Sequence, residues 1–398
     1  MYLSKKGSKI KPSSTLVITA KAKQMKAEGI DVIGFGAGEP DFDTPVHIKK
    51  AAIKAIQEGF TKYTPVAGMI ELRQAICDQL QKEYGLFYKS NQIVISNGAK
   101  HSLTNTFMAI LNPGDEVIIP APFWLSYPEM VYLADGCPKV VPTKKENQYK
   151  LTPQELKENI TERTKALIIN SPSNPTGMIY RKEELEDLIE IALAYDLYII
   201  SDEIYEKLIY DGAKHVSVAS LGSKVYEKTI LINGVSKSYA MTGWRIGYAA
   251  AHPDIAKVMS NIQSHGSSNS NSVAQKAALA AITGPQDCVE EMRQAFEKRR
   301  NYMMERIEKM TKLSAFKPQG AFYVLVDINA LIGASYKGQM IQKASDLASL
   351  LLEYAQVAVI PCQDFGCPNH IRLSYAISME NIKEGLDRIE NFIQQLLF

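Results

Sequence analysis

The sequence predicts a layered α/β domain with a mostly parallel sheet, joined to a smaller α+β domain. Its 398 residues are too many for one ordinary hydrophobic core, so two domains are expected. From about residue 92 to residue 251, short β-rich runs alternate with segments whose apolar residues recur at helical spacing. Several runs carry Ile, Val or Leu at consecutive positions, as strands covered on both faces do. Such alternation is typical of a sheet with helices on both sides.

The larger domain is predicted to consist of short strands that are separated by helices. Residues 182–192 are predicted to be helical, because their apolar side chains recur at helical spacing and their first turn is acidic. Similar helical patterns separate the predicted strands. Seven runs are expected to form the strands of one sheet: 93–96, 116–120, 140–142, 166–170, 198–201, 229–233 and 245–251.

The pattern changes after residue 285. A long charged helix is predicted over 286–312 and shorter helices over 343–354 and 380–397, with strands over 321–328, 357–361 and 371–376. Residues 30–35 form a further predicted strand, and chain ends often meet, so the N-terminus is assigned to the smaller domain as well. The predicted division is therefore 1–45 for an arm and part of the smaller domain, 46–285 for the larger domain, and 286–398 for the rest.

Composition excludes several classes of function. The hydrophobic content of 46% and charged content of 22% describe a soluble globular protein, and the net charge of +2 gives no reason to expect nucleic acid or membrane as a partner. No apolar run has the length of a membrane span or the position of a signal peptide. Scattered cysteines, odd in number and without zinc-site spacing, predict a reducing cytoplasm and no metal site: Cys77, Cys137, Cys288, Cys362 and Cys367.

One strand-to-helix turn has the composition of an anion-binding site. Gly98 follows the strand predicted over 93–96 and would let the backbone approach a ligand closely. The amides of Ala99 and Lys100 then face outward at a helix N-terminus, where anions bind. Taken alone, such a turn is more often an ordinary connection. The glycine-rich stretch 34–38 is not a dinucleotide fingerprint, because Glu39 replaces the final glycine and no helix follows.

Polar side chains at several other strand ends fit one cofactor. The neutral amine of Lys237 could bond to an aldehyde, provided that burial lowers its pKa. The Asp202 carboxylate would keep a pyridine nitrogen protonated, and Ser236 with Arg245 suits a phosphate. Asn174 lies in a rigid turn with two prolines. Each residue has an ordinary structural explanation, but together they predict a site for pyridoxal 5′-phosphate.

The chain resembles the class I/II aminotransferases of pyridoxal-phosphate fold type I, and within them the bacterial and archaeal aspartate aminotransferases. The resemblance runs nearly end to end and implies a seven-stranded, mostly parallel sheet in an α/β/α sandwich. The matching motifs are Gly-Glu-Pro-Asp-Phe-Asp-Thr-Pro from Gly38, Lys-Tyr-Thr from Lys62, Ser-Pro-Ser-Asn-Pro-Thr-Gly from Ser171, Ser-Asp-Glu-Ile-Tyr-Glu from Ser201, Ser236-Lys237, Met-Thr-Gly-Trp-Arg-Ile-Gly-Tyr from Met241, and His-Ile-Arg-Leu-Ser from His370.

The resemblance assigns a role to each matched cofactor residue. It implies that Lys237 is the Schiff-base lysine and proton shuttle, and that Asp202 is the partner of the pyridinium nitrogen. It places Asn174 and Tyr205 on the phenolate oxygen of the ring and Trp124 on the ring face. It implies that the phosphate is bound by Gly98, Ala99, Lys100, Ser236 and Arg245, together with Tyr63 from a second subunit of a homodimer.

The resemblance also implies how substrates bind. Gly38 and Arg372 would bind the α-carboxylate, with Trp124 and Asn174 beside them. Many relatives bind the side-chain carboxylate of an acidic substrate with an arginine, and residues 264–271 here contain no arginine. The subgroup that this chain resembles uses a lysine instead, so Lys100 is expected to bind the distal carboxylate. Further contacts to this end of the substrate are expected from Thr15 and, for a bulkier dicarboxylate such as prephenate, Lys11.

These residues together lead to a predicted reaction. We expect a ping-pong transamination of L-aspartate with 2-oxoglutarate to oxaloacetate and L-glutamate, through a Schiff base on Lys237. An aromatic or prephenate aminotransferase would share every cofactor residue, and a pyridoxal-phosphate-dependent C–S lyase could use the same constellation. The expected ligands are a small amino acid and a 2-oxo acid.

Overall fold

The computed structural model describes residue 2, residues 4–10 and residues 14–398, without the side chains at positions 5, 9, 14–17 and 19. None of the helices within these ranges has an apolar stretch of the length needed to span a bilayer. The helices described are α1 (Lys5–Lys9), α2 (Ser14–Ala27), α3 (Val46–Gln57), α4 (Ile70–Tyr84), α5 (Ala99–Ile110), α6 (Ser126–Leu133), α7 (Pro153–Asn159), α8 (Lys182–Ala194), α9 (Ser223–Lys228), α10 (Pro253–Gly266), α11 (Ser272–Thr283), α12 (Asp287–Lys309), α13 (Ala344–Tyr354) and α14 (Met379–Gln394).

The strands of the described residues form four sheets. They are β1 (Ile33–Gly34), β2 (Ile93–Ser96), β3 (Glu116–Ala121), β4 (Cys137–Pro142), β5 (Thr164–Asn170), β6 (Tyr198–Asp202), β7 (Thr229–Gly234), β8 (Gly247–Ala250), β9 (Ser314–Ala315), β10 (Tyr323–Asp327), β11 (Ser335–Tyr336), β12 (Gln339–Met340), β13 (Val357–Ala358), β14 (Ile360–Pro361) and β15 (His370–Ser374).

The largest sheet has seven strands in the order β2-β8-β7-β6-β5-β3-β4. Strand β8 runs antiparallel to β2 and β7, and the other neighbouring strands are parallel. The carboxyl ends of β2, β5, β6 and β7 therefore meet the amino end of β8 at one edge. Ligands of open α/β sheets bind beyond this edge.

Both faces of the seven-stranded sheet are covered by apolar packing. In β6, the fully buried Ile199 packs with the helices α7, α8 and α9, whereas its neighbour Ile200 packs with α5, α6 and α10. Truncating either side chain to alanine would remove about 2–5 kcal/mol of stability. Because these strands are buried on both faces, apolar residues follow one another along them and do not alternate with polar ones. The α/β/α sandwich predicted from the sequence is confirmed.

A second group of elements lies around the antiparallel sheet β14-β15-β10-β9. Helices α12, α13 and α14 contribute to the core on this sheet, including the buried side chains of Phe296, Leu351 and Leu386. Strand β1 pairs in parallel with β13, so the N-terminal strand joins elements from the C-terminal part of the chain. The predicted domain boundaries after residues 45 and 285 stay a prediction.

Three predicted strands differ in detail from the observed ones. Arg245 was expected to begin a strand but precedes β8 in a left-handed conformation, with φ of 59°, from which its guanidinium bonds to the carbonyls of Thr242 and Asn97. The strand predicted over 357–361 is two strands, because β13 pairs with β1 and β14 with β15. The strand predicted over 30–35 is only the two residues of β1.

Candidate active site

A cavity of about 680 Å³ opens beyond the edge where the strand ends meet. Asp202 is the last residue of β6, Lys237 follows β7 by three residues, and Arg245 precedes the antiparallel β8. The sequence-predicted residues that line this cavity are Gly38, Ala99, Lys100, Trp124, Asn174, Asp202, Tyr205, Ser236, Lys237, Arg245 and Arg372. The fold thus brings residues as far apart in the chain as Gly38 and Arg372 to one cavity.

The turn between β2 and α5 forms a concave surface with free backbone donors. Gly98 has φ of +86°, and a Cβ placed on it would lie 2.4 Å from Nη2 of Arg245. A Cβ on Gly247 would lie 2.2 Å from the backbone nitrogen of Ala99, so both glycines are required for this approach. The first amides of α5 have no partner within the helix and carry its positive end. With Arg245 beside them, they form a fitting site for a phosphate.

Lys237 is the cavity's candidate nucleophile. Its Nζ donates a hydrogen bond to the carbonyl oxygen of Gly38 at 2.5 Å. Burial lowers the pKa of Lys237 to about 8; Glu39 opposes this shift, whereas Arg372 and Arg245 add to it. A substantial fraction of this amine is therefore neutral near pH 8, as bonding to an aldehyde requires.

Asp202 lies on the cavity floor and is bound by a residue that the sequence did not point out. The buried Tyr127 donates its hydroxyl to Oδ2 of Asp202 at 2.6 Å, and the backbone nitrogen of Ile204 donates to Oδ1. Burial raises the pKa of Asp202 to about 6, and these two hydrogen bonds act in the opposite direction. A carboxylate bound in this way is oriented toward any cation that enters the cavity.

Arg372 presents one unused donor. Its Nη1 donates to Oδ1 of Asn174 at 2.9 Å and its Nη2 to the carbonyl of Gly36 at 3.3 Å. Its guanidinium also stacks over the ring of Tyr323, 4.3 Å from the centroid. The buried Nε has no hydrogen-bond partner among the described residues. The Arg372 side chain lines the cavity, so its guanidinium brings a positive charge to any anion that binds there.

Aromatic side chains line the remaining walls. Trp124 makes an edge-on contact with Tyr127 at 5.4 Å, and Nζ of Lys100 lies 4.9 Å from the Trp124 ring centroid. Burial, together with Arg245, lowers the pKa of Lys100. The hydroxyl of Tyr205 lies 3.1 Å from that of Tyr323, so both hydroxyls are available to a ligand at the same point. The bond between Asn174 and Pro175 is cis, a hypothesis that the resemblance to the family suggests and the sequence alone left open.

Four predicted site residues are not among those lining the cavity. Gly98 lies just behind Ala99 and acts through its backbone shape. Tyr63 is 90% exposed on the protein surface. Lys11 lies outside the described residues, and so does the side chain of Thr15, whose backbone is part of α2.

Tyr127, Tyr323 and the α2 residues Lys23 and Lys26 also line the cavity but were not predicted. Tyr127 could have been found, since it follows the singled-out Trp124 by three positions. The other three depend on how distant elements pack, and no local motif marks them.

The chain is similar in sequence and fold to known proteins. A family model described as Aminotransferase class I and II matches residues 30–389. The chain is 52% identical to an aspartate aminotransferase of Bacillus sp. (strain YM-2), covering 96% of this chain and 97% of that one. It is 48% identical to a probable aspartate/prephenate aminotransferase of Aquifex aeolicus, covering 99% of both. The crystal structure of the aspartate aminotransferase from Rhizobium meliloti superposes with a TM-score of 0.96, at 40% identity and full coverage of both chains.

The agreement of sequence and fold extends over the whole chain and includes every element that forms the cavity. The TM-score confirms the predicted fold class, and the family match covers all cavity-lining residues from Gly34 to Arg372. The chain belongs to the class I and II aminotransferase family.

Proposed function

We propose that this enzyme transfers the amino group of L-aspartate to 2-oxoglutarate with pyridoxal 5′-phosphate as cofactor. The observation that carries the proposal is the convergence of Lys237, Asp202, Arg245 and Arg372 on one cavity. The three relatives from Bacillus and Geobacillus, which are named aspartate aminotransferases, support the substrate.

The residues of the cavity fit the cofactor. Pyridoxal 5′-phosphate supplies an aldehyde that takes up the substrate amine and a pyridinium ring that spreads the electrons left at Cα. The amides of Ala99 and Lys100, the hydroxyl of Ser236 and the guanidinium of Arg245 would bind its phosphate. Asp202 would bind the ring nitrogen, Asn174 and Tyr205 the phenolate oxygen, and Trp124 the ring face.

Lys237 would move the proton in each half-reaction. Its Nζ, when neutral, would accept the proton from substrate Cα. Its lowered pKa, about 8, suits an amine that must both take up and release a proton near neutral pH. Asp202, oriented by Tyr127, stabilises the positive charge on the ring nitrogen throughout.

Arg372 would bind the substrate α-carboxylate with its guanidinium, together with the backbone of Gly38, which lines the same cavity. A charged hydrogen bond of this kind contributes about 1.5–3 kcal/mol. Lys100, with the contacts expected from Thr15 and Lys11, would bind the distal carboxylate. Because a lysine is a mobile point charge and not a planar fork, we expect its selectivity to be looser than that of an arginine.

We propose a homodimer in which Tyr63 reaches the phosphate of the neighbouring subunit. In support, five large apolar side chains between residues 46 and 70 are exposed. Exposed apolar side chains that lie together mark protein interfaces. The exposed apolar residues are Val46, Ile53, Ile56, Tyr63 and Ile70. A cytoplasmic location is supported by the five cysteines, all of which are unpaired.

An aspartate/prephenate aminotransferase is the second candidate. The relative from Aquifex aeolicus carries that name, and one cavity wall is apolar enough to receive a ring, with Ile18, Ala22 and Ala358. A C–S lyase would need the same cofactor residues and stays the third alternative.

The proposal is tested with the purified enzyme and added cofactor in single-turnover reactions. We expect rapid spectral change with aspartate and glutamate and slower change with phenylalanine. Faster reaction with phenylalanine or with the amino-acid product of prephenate would favour the second candidate. Release of pyruvate and thiol from cystathionine, without transamination, would identify a lyase.

A further inference from the structure

The cavity wall formed by α2 carries two lysines that have no hydrogen-bond or ion-pair partner among the described residues. Lys23 and Lys26 line the cavity, and their spacing of three residues places them on one face of the helix. Both are exposed. Neither ammonium forms a hydrogen bond or ion pair with any residue in the part of the chain that the structure describes.

The other cavity cations are already engaged. Each of them has a fixed contact within the protein, which assigns it to one position in the site. Those contacts are Arg372 with Asn174, Lys237 with Gly38, Arg245 with Asn97, and Lys100 with Trp124. Lys23 and Lys26 thus add positive charge at the cavity without being committed to a protein acceptor.

The position of these lysines follows from how α2 packs. Ile18 and Met25 pack against the buried cluster of Ala22, Leu352 and Ala358, which joins α2 to the elements around β13. Beside these apolar contacts, Lys21, Lys23, Gln24 and Lys26 of the same helix are exposed. The apolar contacts therefore fix the helix while leaving Lys23 and Lys26 beside the cavity.

We propose that Lys23 and Lys26 form a cationic entrance that speeds the capture of dicarboxylate substrates. This inference rests on the proposed transamination and names a specificity determinant for it. Exposed charges contribute little to the stability of a bound complex. They do raise the rate at which oppositely charged ligands enter a cleft, and this effect falls with ionic strength. We therefore expect the two lysines to act on capture, and Lys100 and Arg372 on the bound substrate.

The effect should scale with the charge of the ligand. Two unit charges about 10 Å apart in water, roughly the width of such a cavity, attract each other with an energy on the order of RT. Removing both lysines should slow capture of the dianion 2-oxoglutarate about tenfold at low salt. It should slow capture of aspartate, a net monoanion, about threefold and leave that of zwitterionic alanine unchanged.

The experiment compares wild type with Lys23→Gln/Lys26→Gln, reconstituted with cofactor. Stopped-flow measurements give the second-order rate constants for aspartate, alanine and, with the aminated enzyme, 2-oxoglutarate, at about 10 mM and about 150 mM salt, where the Debye length falls from ~30 Å to ~8 Å. The matched control is Lys157→Gln/Lys224→Gln, which removes two exposed lysines that lie outside the cavity and make no ion pair with described residues. Reversing both charges in Lys23→Glu/Lys26→Glu should slow capture further, again most for 2-oxoglutarate and less for aspartate.

We expect the second-order rate constant to fall most for 2-oxoglutarate, less for aspartate and not at all for alanine. The decrease should occur only at low salt and only when Lys23 and Lys26 are replaced. An equal loss for all three ligands, or a change in the first-order rate at saturation, would overturn the proposal, since it would assign the lysines to the closing of the site or to chemistry. Equal behaviour of the control pair would also overturn it. Failure of wild type to react with any amino acid would instead contradict the proposed function.

Discussion

Replacing Tyr127 by phenylalanine tests how the floor of the cavity works. The substitution removes the 2.6 Å hydrogen bond to Asp202 but keeps the ring that contacts Trp124. A hydrogen bond to a charged group contributes about 1.5–3 kcal/mol, and one pKa unit corresponds to about 1.4 kcal/mol. Losing this bond should therefore raise the pKa of the fully buried Asp202 by about 1–2 units.

The sign of the effect follows from which form of Asp202 is active. Only the carboxylate can stabilise a protonated ring nitrogen, and the carboxylate predominates above its pKa. In wild type, burial has already raised that pKa to about 6. The acidic limb of the rate profile should therefore move upward by about 1–2 pH units in Tyr127→Phe, and activity at pH 7 should fall more than activity at pH 9.

The assay is the pH dependence of kcat/KM for aspartate together with the dissociation constant of the cofactor. Tyr132→Phe is the matched control, because Tyr132 lies on the same helix, is exposed and does not line the cavity. An unchanged acidic limb in Tyr127→Phe, with equal losses at every pH, would refute the argument that this hydroxyl tunes Asp202.

Three further predictions concern the cavity. Lys100→Ala should lower kcat/KM for aspartate at least tenfold more than that for alanine, because only aspartate has a distal carboxylate; equal losses in the two assays would remove Lys100 as its reader. Arg372→Lys should raise KM for every amino acid about 10–100-fold, the loss of at least one charged hydrogen bond, as steady-state kinetics will measure. Gly98→Ala should weaken cofactor binding measured by titration, since its Cβ would meet Arg245, whereas Gly114→Ala has a similar positive φ and open space and should only lower the melting temperature.

Each of these three predictions has a result that would contradict it or a readout that shows an intact cofactor site. Alanine reactivity that survives in Lys100→Ala shows that the cofactor site is intact. Normal cofactor affinity in Gly98→Ala would contradict the phosphate site at the start of α5. An unchanged KM in Arg372→Lys would mean that the Arg372 guanidinium does not bind the substrate.

The sequence was sufficient to predict the larger sheet and to single out residues that line one cavity. Runs of consecutive apolar residues marked strands buried on both faces, and the residues after them, such as Asp202 and Lys237, necessarily met at one edge. Arg245 was placed at the right edge but in the wrong conformation, because its left-handed backbone depends on carbonyl acceptors that only the folded chain supplies.

What the sequence did not predict depends on packing between distant elements. Tyr323 meets Arg372 because β10 pairs with β15, and α2 reaches the cavity because its apolar face packs near β13. Neither contact has a local signature. The unused Nε of Arg372 could be recognised only once all of its neighbours were known.

The most direct test of the central claim is to identify the amine that bonds to the cofactor. Purified enzyme is incubated with pyridoxal 5′-phosphate, reduced with borohydride, digested and mapped by mass spectrometry. We predict one stoichiometric phosphopyridoxyl adduct on Lys237 and none in Lys237→Ala. A colourless protein without an adduct, or an adduct on Lys100 with Lys237 unmodified, would contradict the account.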